Sequence, residues 1–505
     1  MLGENIHKKI TLWSCFIIVI GLPLGEFFMS VGAIALFVNW LIEGDFKQKF
    51  FRLKNNRPAL AILSIFIIHL IGLFWTSDFD YGWHDIKIKL PILIIPLVLG
   101  SSAHFEKKNI ITVCFVFVAA TFVSSLISIG VYINLKWIEK TLQNPREISI
   151  FISHIRLSLM VIFSIVTLLY LYKKNIAKKG YVFMLVVFFV LFSLLLQSLT
   201  GITLLVMFAI FFPVLWNGLN KKQVLFSFGL FLLFSASLFF ICFPSYKWYF
   251  VAQKNPALEK SSLGNFYRHD LNNAQLENGF YVWRNISDAE LKTEWEKLSN
   301  IDIDGLDKTS QPIKATLIRY LTSKHLTKDA EGLKQLDKED VLNIESGVAS
   351  FKQQASFYKR IDEVFFEFSA LKNKQNPSNN SFGQRLFAWN LSFEIIKENP
   401  LLGAGTGDVN TTFNEKYSEQ EMLISKQIRA HNQLLTFIIA FGFWSVFLIG
   451  SLIYFSVKKS SEFNGLKLLF IAIVIFSFLF EDTLETQAGV TFFAFFSGLF
   501  STKIS

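Results

Sequence analysis

The chain has 505 residues, of which 52% are hydrophobic and 57 are phenylalanine, and its mean hydropathy is +0.42. So apolar a composition at this length excludes a soluble globule and requires a polytopic membrane protein. In a soluble protein the net charge of +10 would suggest nucleic acid; here it reads as Lys and Arg gathered on one side of a bilayer, with no nucleic-acid partner.

The N-terminal stretch MLGENIHKKITLWSCFIIVIGLPLG has the basic start and apolar run of a secretion signal. It lacks a convincing small-residue cleavage site and more apolar runs follow, so it reads as a retained first helix. Crossing a hydrocarbon core of about 30 Å takes about 20 helical residues. Runs of that kind fall at roughly 10–24, 26–43, 58–76, 87–103, 109–133, 149–172, 180–197, 199–217, 223–244, 430–456, 464–480 and 487–502. The expected fold is therefore all-α, with about twelve transmembrane helices. Cys15, Cys114 and Cys242 each lie inside an apolar run, which argues against a disulfide framework or a thiolate metal site.

If the N-terminus is inside, the inside loops carry Lys8, Lys9, Lys47, Arg52, Lys54, Arg57, Lys107, Lys108, Lys173, Lys174, Lys221 and Lys222. The outside loops hold acids instead, among them Asp78, Asp80, Asp85, Glu481, Asp482 and Glu485. This alternation follows the positive-inside pattern, which puts both termini inside and the long interval before the tenth span outside. The expected division is a bundle of nine helices over 1–244, an outer helical domain over 245–429, and three more spans over 430–505. Within the outer interval, IKATLIRYLTSKHL and FYKRIDEVFFEFSALKNK have helical period, NKQNPSNNS reads as a loop, and nothing suggests a buried sheet.

The stretch from Ser381 to Gly442 organises the rest: SFGQRLFAWNLSFEIIKENPLLGAGTGDVNTTF, a polar interval, then RAHNQLLTFIIAFG. Leu386, Trp389, Phe393 and Ile396 recur at helical spacing, and Arg385 lies one turn from Trp389. The helix is expected to stop before Pro400. GAGTGD follows no strand and lacks the GK[ST] of a P-loop, so it reads as a glycine turn and not a nucleotide site.

These features together resemble the O-antigen ligase and polymerase superfamily of bacterial membrane glycosyltransferases: RLFAW, NPLLGAGTGD and the AHNQLL entry into the next span. Weaker agreement is found at GLFWTSDFDYGWHDIKIKLPIL (72–94), FISHIRLSL (151–159) and EDTLETQAGVTFFAFFSGLF (481–500). The resemblance implies a GT-C-like layout in the inner membrane, with one large periplasmic loop and the active site facing the periplasm. It also implies transfer of a glycan from undecaprenyl diphosphate to an acceptor hydroxyl, on lipid A-core or a similar glycolipid or glycan, without cofactor or metal. No HExxH motif or paired Cys/His spacing is present in the sequence.

A departing lipid diphosphate gathers negative charge, which a guanidinium fork matches by pairing two oxygens at once. Arg385 corresponds to the family's loop arginine; the plain alternative is an exposed helix arginine. Arg156, near the outer end of the sixth span, is a costly cation in that place unless it is paired or faces water, which favours function over snorkelling. Neighbouring His154 competes with it for the family's earlier role. His431 is the expected proton acceptor, because imidazole changes charge near neutrality, against the alternative of a histidine that merely caps the tenth helix. Arg429, Asn432, Trp389 and Arg319 are expected substrate contacts. Lys87 and Lys89 are placed at the outer mouth of the fourth span, to attract the diphosphate or anchor to headgroups. Glu481 and Glu485 either orient the histidine or sugar hydroxyls, or are simply solvated.

Three alternatives remain open on sequence, one of them a membrane-anchored binding protein whose outer cap does the work, which would leave the Arg and His at the membrane boundary without purpose. A polysaccharide polymerase or protein O-oligosaccharyltransferase of the same superfamily would share these groups. A lipid-linked sugar transporter would call for charges deep in several spans and inverted repeats, and apart from Arg156 the span cores are nearly free of charge.

Overall fold

The computed structural model describes residues 3–102, 105–137, 145–217, 220–254, 256–354, 359–373, 381–419, 429–457 and 463–502. Positions 374–380 of the Asn- and Ser-rich run at 373–381 lie outside the described residues. The chain divides into two compact units, one of 1–216, 388–421 and 427–505, the other of 217–387 and 422–426.

The first unit begins with α1 (Glu4–Leu24), α2 (Glu26–Glu43), α3 (Phe46–Lys54), α4 (Arg57–Gly72), α5 (Phe79–Ser101), α6 (Lys107–Trp137), α7 (His154–Lys173), α8 (Lys179–Leu196) and α9 (Leu199–Asn217). Helices α1 and α2 approach through glycines: a Cβ on Gly32 would stand 2.6 Å from Ile18, and one on Gly21 would stand 2.6 Å from Met29. Small residues let helix backbones close up where lipid offers no competing hydrophobic drive. Asn39 then bridges the pair, donating to Thr11 Oγ1 at 2.9 Å and meeting His7 Nδ1 at 2.8 Å.

Helix α7 is buried nearly all round from Arg156 to Leu171, the pattern of a helix in the middle of a bundle. Its Phe163 meets Phe117 of α6 and, further along the chain, Phe470, Phe492 and Phe496, with ring centroids 4.7–5.8 Å apart. Helix α3 was not expected. It is a short amphipathic segment whose Lys49 is buried against Glu43 at 2.8 Å and the Trp40 carbonyl at 2.6 Å. Pairing of that kind allows a lysine to be buried at all.

In the second unit, α10 (Lys221–Phe250) is followed by a hairpin of β1 (Leu276–Glu277) and β2 (Phe280–Tyr281), then α11 (Asp288–Leu298), α12 (Ile313–Ser323), α13 (Ala330–Leu333), α14 (Lys338–Glu345) and α15 (Lys359–Lys372). Trp295, Leu317, Tyr320, Leu321, Leu333 and Ile344 form its core. The C-terminal end of α10 is tied in by Trp248, which donates to Glu277 at 3.1 Å, and by Ser245, which donates to Asp362 at 2.5 Å. The hairpin and four isolated bridges qualify the expectation of a wholly helical interval. These strand pairs are one or two residues long, too short for period-2 alternation to show in sequence.

Helix α16 (Ser381–Glu398) ends two residues before Pro400 and is followed by α17 (Val409–Glu419), α18 (Gln433–Phe441), α19 (Trp444–Val457), α20 (Asn464–Phe480) and α21 (Gln487–Leu499). Among the described residues, seven helices, α1, α2, α4, α6, α7, α8 and α10, are long and apolar enough to span a membrane. Shorter apolar helices lie at 200–213, 444–455, 464–480 and 487–499. The continuous tenth span expected at 430–456 is corrected: it breaks into α18 and α19 at Gly442, which has φ +70°. A Cβ there would lie 2.1 Å from the Leu401 carbonyl, so this backbone approach suits glycine alone.

Candidate active site

The glycine turn after α16 works as a clasp within the first unit. Ala404 and Gly405 donate to the carbonyls of Ile439 and Ala440 at the end of α18, at 2.7 and 2.9 Å. Thr406 donates to the His69 carbonyl in α4 at 2.7 Å, and Gly407 donates to Thr76 Oγ1 at 3.1 Å. The Asp408 carboxylate accepts from the backbone of Ser77 and Asp78, both at 2.7 Å. These peptide donors are spent on the fold, as a structural turn requires.

Above the clasp lies a buried charge network. Lys89, fully enclosed on α5, donates to Asp85 one turn back and to Glu485 Oε2 at 3.1 Å. Glu485 also receives Arg429 Nη1 at 2.9 Å and Gln433 Nε2 at 3.1 Å, while Arg429 donates on to Asn410 at 2.5 Å and to Tyr81. Burial opposes ionisation of Glu485, but Lys89 and Arg429 hold its carboxyl well below the usual range. Burial likewise works against the Arg429 guanidinium, and Glu485 more than restores its charge.

A second cluster sits on the same 481–486 loop. Arg156, at the first turn of α7, donates Nη2 to the Asp482 carbonyl at 3.0 Å and Nε to Thr486 at 3.2 Å. Among the described residues its buried Nη1 has no hydrogen-bond partner, and it lies 3.7 Å from Glu481 Oε2. His431 Nδ1 approaches the same oxygen, also at 3.7 Å, with its side chain about a third exposed. Asp482 accepts from the His431 backbone at 3.1 Å and from Thr436 at 2.7 Å, and burial pushes its carboxyl above the ordinary value.

The main chain at His431 is held in the left-handed region, φ +45°, which costs a side-chain-bearing residue roughly 1–3 kcal/mol unless neighbours impose it. Three contacts do so. Trp389 Nε1 donates to the Ala430 carbonyl at 2.7 Å, Asp482 takes the His431 N–H, and Asn432 caps α18 by accepting from Leu434 and Leu435 at 3.0 and 3.1 Å. The imidazole is thereby aimed by its backbone.

The first unit thus brings together Arg156, His431, Arg429, Asn432, Trp389 and Glu481 from the expected set. Lys89 belongs to the interior, not to an outer mouth open to headgroups, because two carboxylates draw it in. Lys87, two residues earlier, borders a groove of about 340 Å³ with His84, Ser30, Gln487 and apolar residues of α2 and α5. Glu481 and Glu485 are not solvated loop acids; each is paired with cations. Arg385 and Arg319 belong to the second unit. There Arg319 pairs with fully buried Glu277 at 3.1 Å and lies over Phe366 at 3.7 Å. Sequence reasoning did not single out Asp482, Gln433, Tyr81, Asn410 or Asp85. The one signal in reach was the density of acids in EDTLE, just past an apolar run.

The bundle of apolar helices defines a multi-pass membrane protein, and its charged cluster lies at helix ends. Residues 346–450 match the model of a family described as O-Antigen ligase. The match covers Arg385, Trp389, Arg429, His431 and Asn432; Arg156, Lys87, Lys89, Arg319 and Glu481 lie outside it. No curated protein matches the chain.

Proposed function

We propose that the protein is an O-antigen ligase-like glycosyltransferase of the inner membrane, moving a glycan from undecaprenyl diphosphate to an acceptor hydroxyl at the periplasmic face without a metal. The observation that carries this reading is the convergence of Arg156 and His431 on Glu481. It sets a guanidinium with an unused buried N–H beside a partly exposed imidazole, at the edge of an apolar bundle.

In this reading the acceptor oxygen attacks C1 of the donor sugar while the C1–O bond to the diphosphate breaks, its electron pair leaving with the phosphate oxygen. His431 takes the acceptor's proton, and Arg156 offers Nη1 to the charge that develops on the leaving group. Glu481 orients both. A single displacement inverts the anomeric centre, so a retained configuration would exclude that step. Arg385 as a further diphosphate ligand rests on the resemblance and the family match. The 245–429 interval is proposed as the periplasmic part, with both termini cytoplasmic.

The test is deletion of the gene in its host, followed by complementation. Loss of one glycoconjugate with build-up of its lipid-linked precursor is expected, along with stable but inactive His431→Ala protein. Full rescue by His431→Ala removes that residue from the chemistry. A polymerase of the same superfamily would use the same groups, and the products separate the two: a ligase mutant accumulates full-length chains on the lipid carrier, a polymerase mutant accumulates single repeat units.

A further inference from the structure

The second unit contains a small recess of about 160 Å³ that the chemistry above does not use. Its wall comes from the β1–β2 hairpin, the end of α12 and the loop leading into α13. Phe280 and His325 pack ring to ring there, 4.4 Å between centroids, with Leu258 and Leu326 beside them. His325 is exposed and holds φ +59°, a left-handed conformation in which histidine is several-fold enriched among residues other than glycine.

The polar groups around the recess are almost all engaged. Tyr267 donates to Asp329 at 2.5 Å, Thr327 to the same carboxylate at 2.6 Å, and Asn285 spans Leu258 N–H and the Pro256 carbonyl at 2.8 and 3.0 Å. Lys328 is the exception. Its ammonium is 4% exposed and donates to the carbonyls of Tyr281 and Arg284 at 2.9 and 2.8 Å. An ammonium has three N–H donors, so among the described residues one is left over in a side chain that borders the recess. No carboxylate pairs with Lys328 among the described residues, and burial alone brings its pKa down to about 7. A buried cation in that condition is unfavourable until an anion reaches it.

We propose that this recess binds one carboxylate-bearing sugar unit of a glycan, with Lys328 holding the carboxylate and the Phe280–His325 pair flanking the ring. An aromatic face suits the C–H face of a pyranose, and a single spare donor suits one carboxylate oxygen. A phosphate, with three strongly accepting oxygens, calls for more donors than the recess offers. That the ligand is a sugar rests on the glycosyltransferase reading; the recess itself rests on the geometry.

The experiment uses the full chain in lipid nanodiscs and reads binding of free sugars by saturation-transfer NMR and calorimetry, with no transfer reaction involved. Glucuronate is expected to bind, and glucose and inorganic phosphate are not. Lys328→Met, and His325→Asn, which tolerates the same backbone, are each expected to weaken glucuronate about tenfold or more, the scale of one charge-assisted contact. His325→Asn stands at an exposed position and remains informative should Lys328→Met fail to fold. Equal binding of glucose, tighter binding of phosphate, unchanged glucuronate affinity in either folded variant, or no binding to the unaltered protein overturns the proposal. Glucuronate binding with no glycosyl transfer in the host leaves the recess standing and removes the enzymatic reading. Transfer without such binding does the reverse.

Discussion

Arg156 and His431, 275 positions apart in the chain, meet on one oxygen: Oε2 of Glu481 lies 3.7 Å from Nη1 of the first and 3.7 Å from Nδ1 of the second. Neither contact is short enough for a hydrogen bond. The carboxylate therefore stands between a cation and a base without saturating either. If this pair does chemistry, Glu481 is what keeps the two in register.

His431→Ala is expected to lower glycan transfer by about 10²–10⁴-fold, the usual weight of a general base. Glu481→Gln, which keeps shape and loses charge, is expected to lower it about tenfold or more. The double variant should be little worse than His431→Ala alone, since residues in contact are not additive. Initial rates with a lipid-linked donor check this, and additive losses would show that Glu481 acts elsewhere.

Trp389→Phe keeps the ring and removes the donor to the Ala430 carbonyl. The stability loss is expected to be small, about 1 kcal/mol, with a larger fall in kcat than in apparent donor affinity, because the change loosens the direction of the imidazole. A fall confined to donor affinity would make Trp389 a substrate contact instead.

Lys89→Met leaves Asp85 and Glu485 buried beside each other with one cation fewer. Removing one partner of a buried pair costs about 3–5 kcal/mol, so a marked drop in the unfolding midpoint in detergent is expected. Adding Asp85→Asn to Lys89→Met should recover part of it. An unchanged midpoint for Lys89→Met would mean that the cation is dispensable.

The pH dependence follows from the 481–486 loop. Glu485 ionises more readily folded than unfolded, so the stability it contributes is complete above the ordinary glutamate pKa of about 4.3 and is lost as pH falls below it. Asp482 is shifted upward by burial, so its contribution has the opposite sign and fades as pH rises past about 3.9. Between about pH 5 and 3, Glu485→Gln should therefore lose less thermal stability than the unaltered protein. Parallel curves would contradict the assignment.

Gly403→Ala would put a methyl 2.5 Å from the Ala440 backbone at φ +69°, whereas Gly450→Ala meets nothing within 4 Å. The first is expected to cost about 1–3 kcal/mol or more, and the second to be neutral or slightly stabilising, since alanine is the better helix former. Equal melting of the two variants would show that the clasp is not held as described.

Local pattern was enough for most of the helices. Apolar runs at Arg57–Gly72 or Lys179–Leu196 leave no other low-energy arrangement in lipid, because every backbone group must find its partner within the segment. The end of α16 near Pro400 and the turn at GAGTGD were legible for the same local reason. Helix α3, the break at Gly442 and the short hairpin were not, because each is imposed by a neighbour distant in sequence: Trp40 and Glu43 around Lys49, the Leu401 carbonyl against Gly442, Trp248 on Glu277. The same division holds at the site. The sequence by itself determined that arginines and a histidine stand near the ends of apolar helices, because charge is expelled from the hydrocarbon. Only the tertiary structure decided that Lys89 turns inward to two acids, that the EDTLE loop is buried, and that Trp389 steers the backbone at His431. Ion pairing and hydrogen bonding act over a few ångströms of space, and spacing along the chain carries no record of which distant partners that space contains.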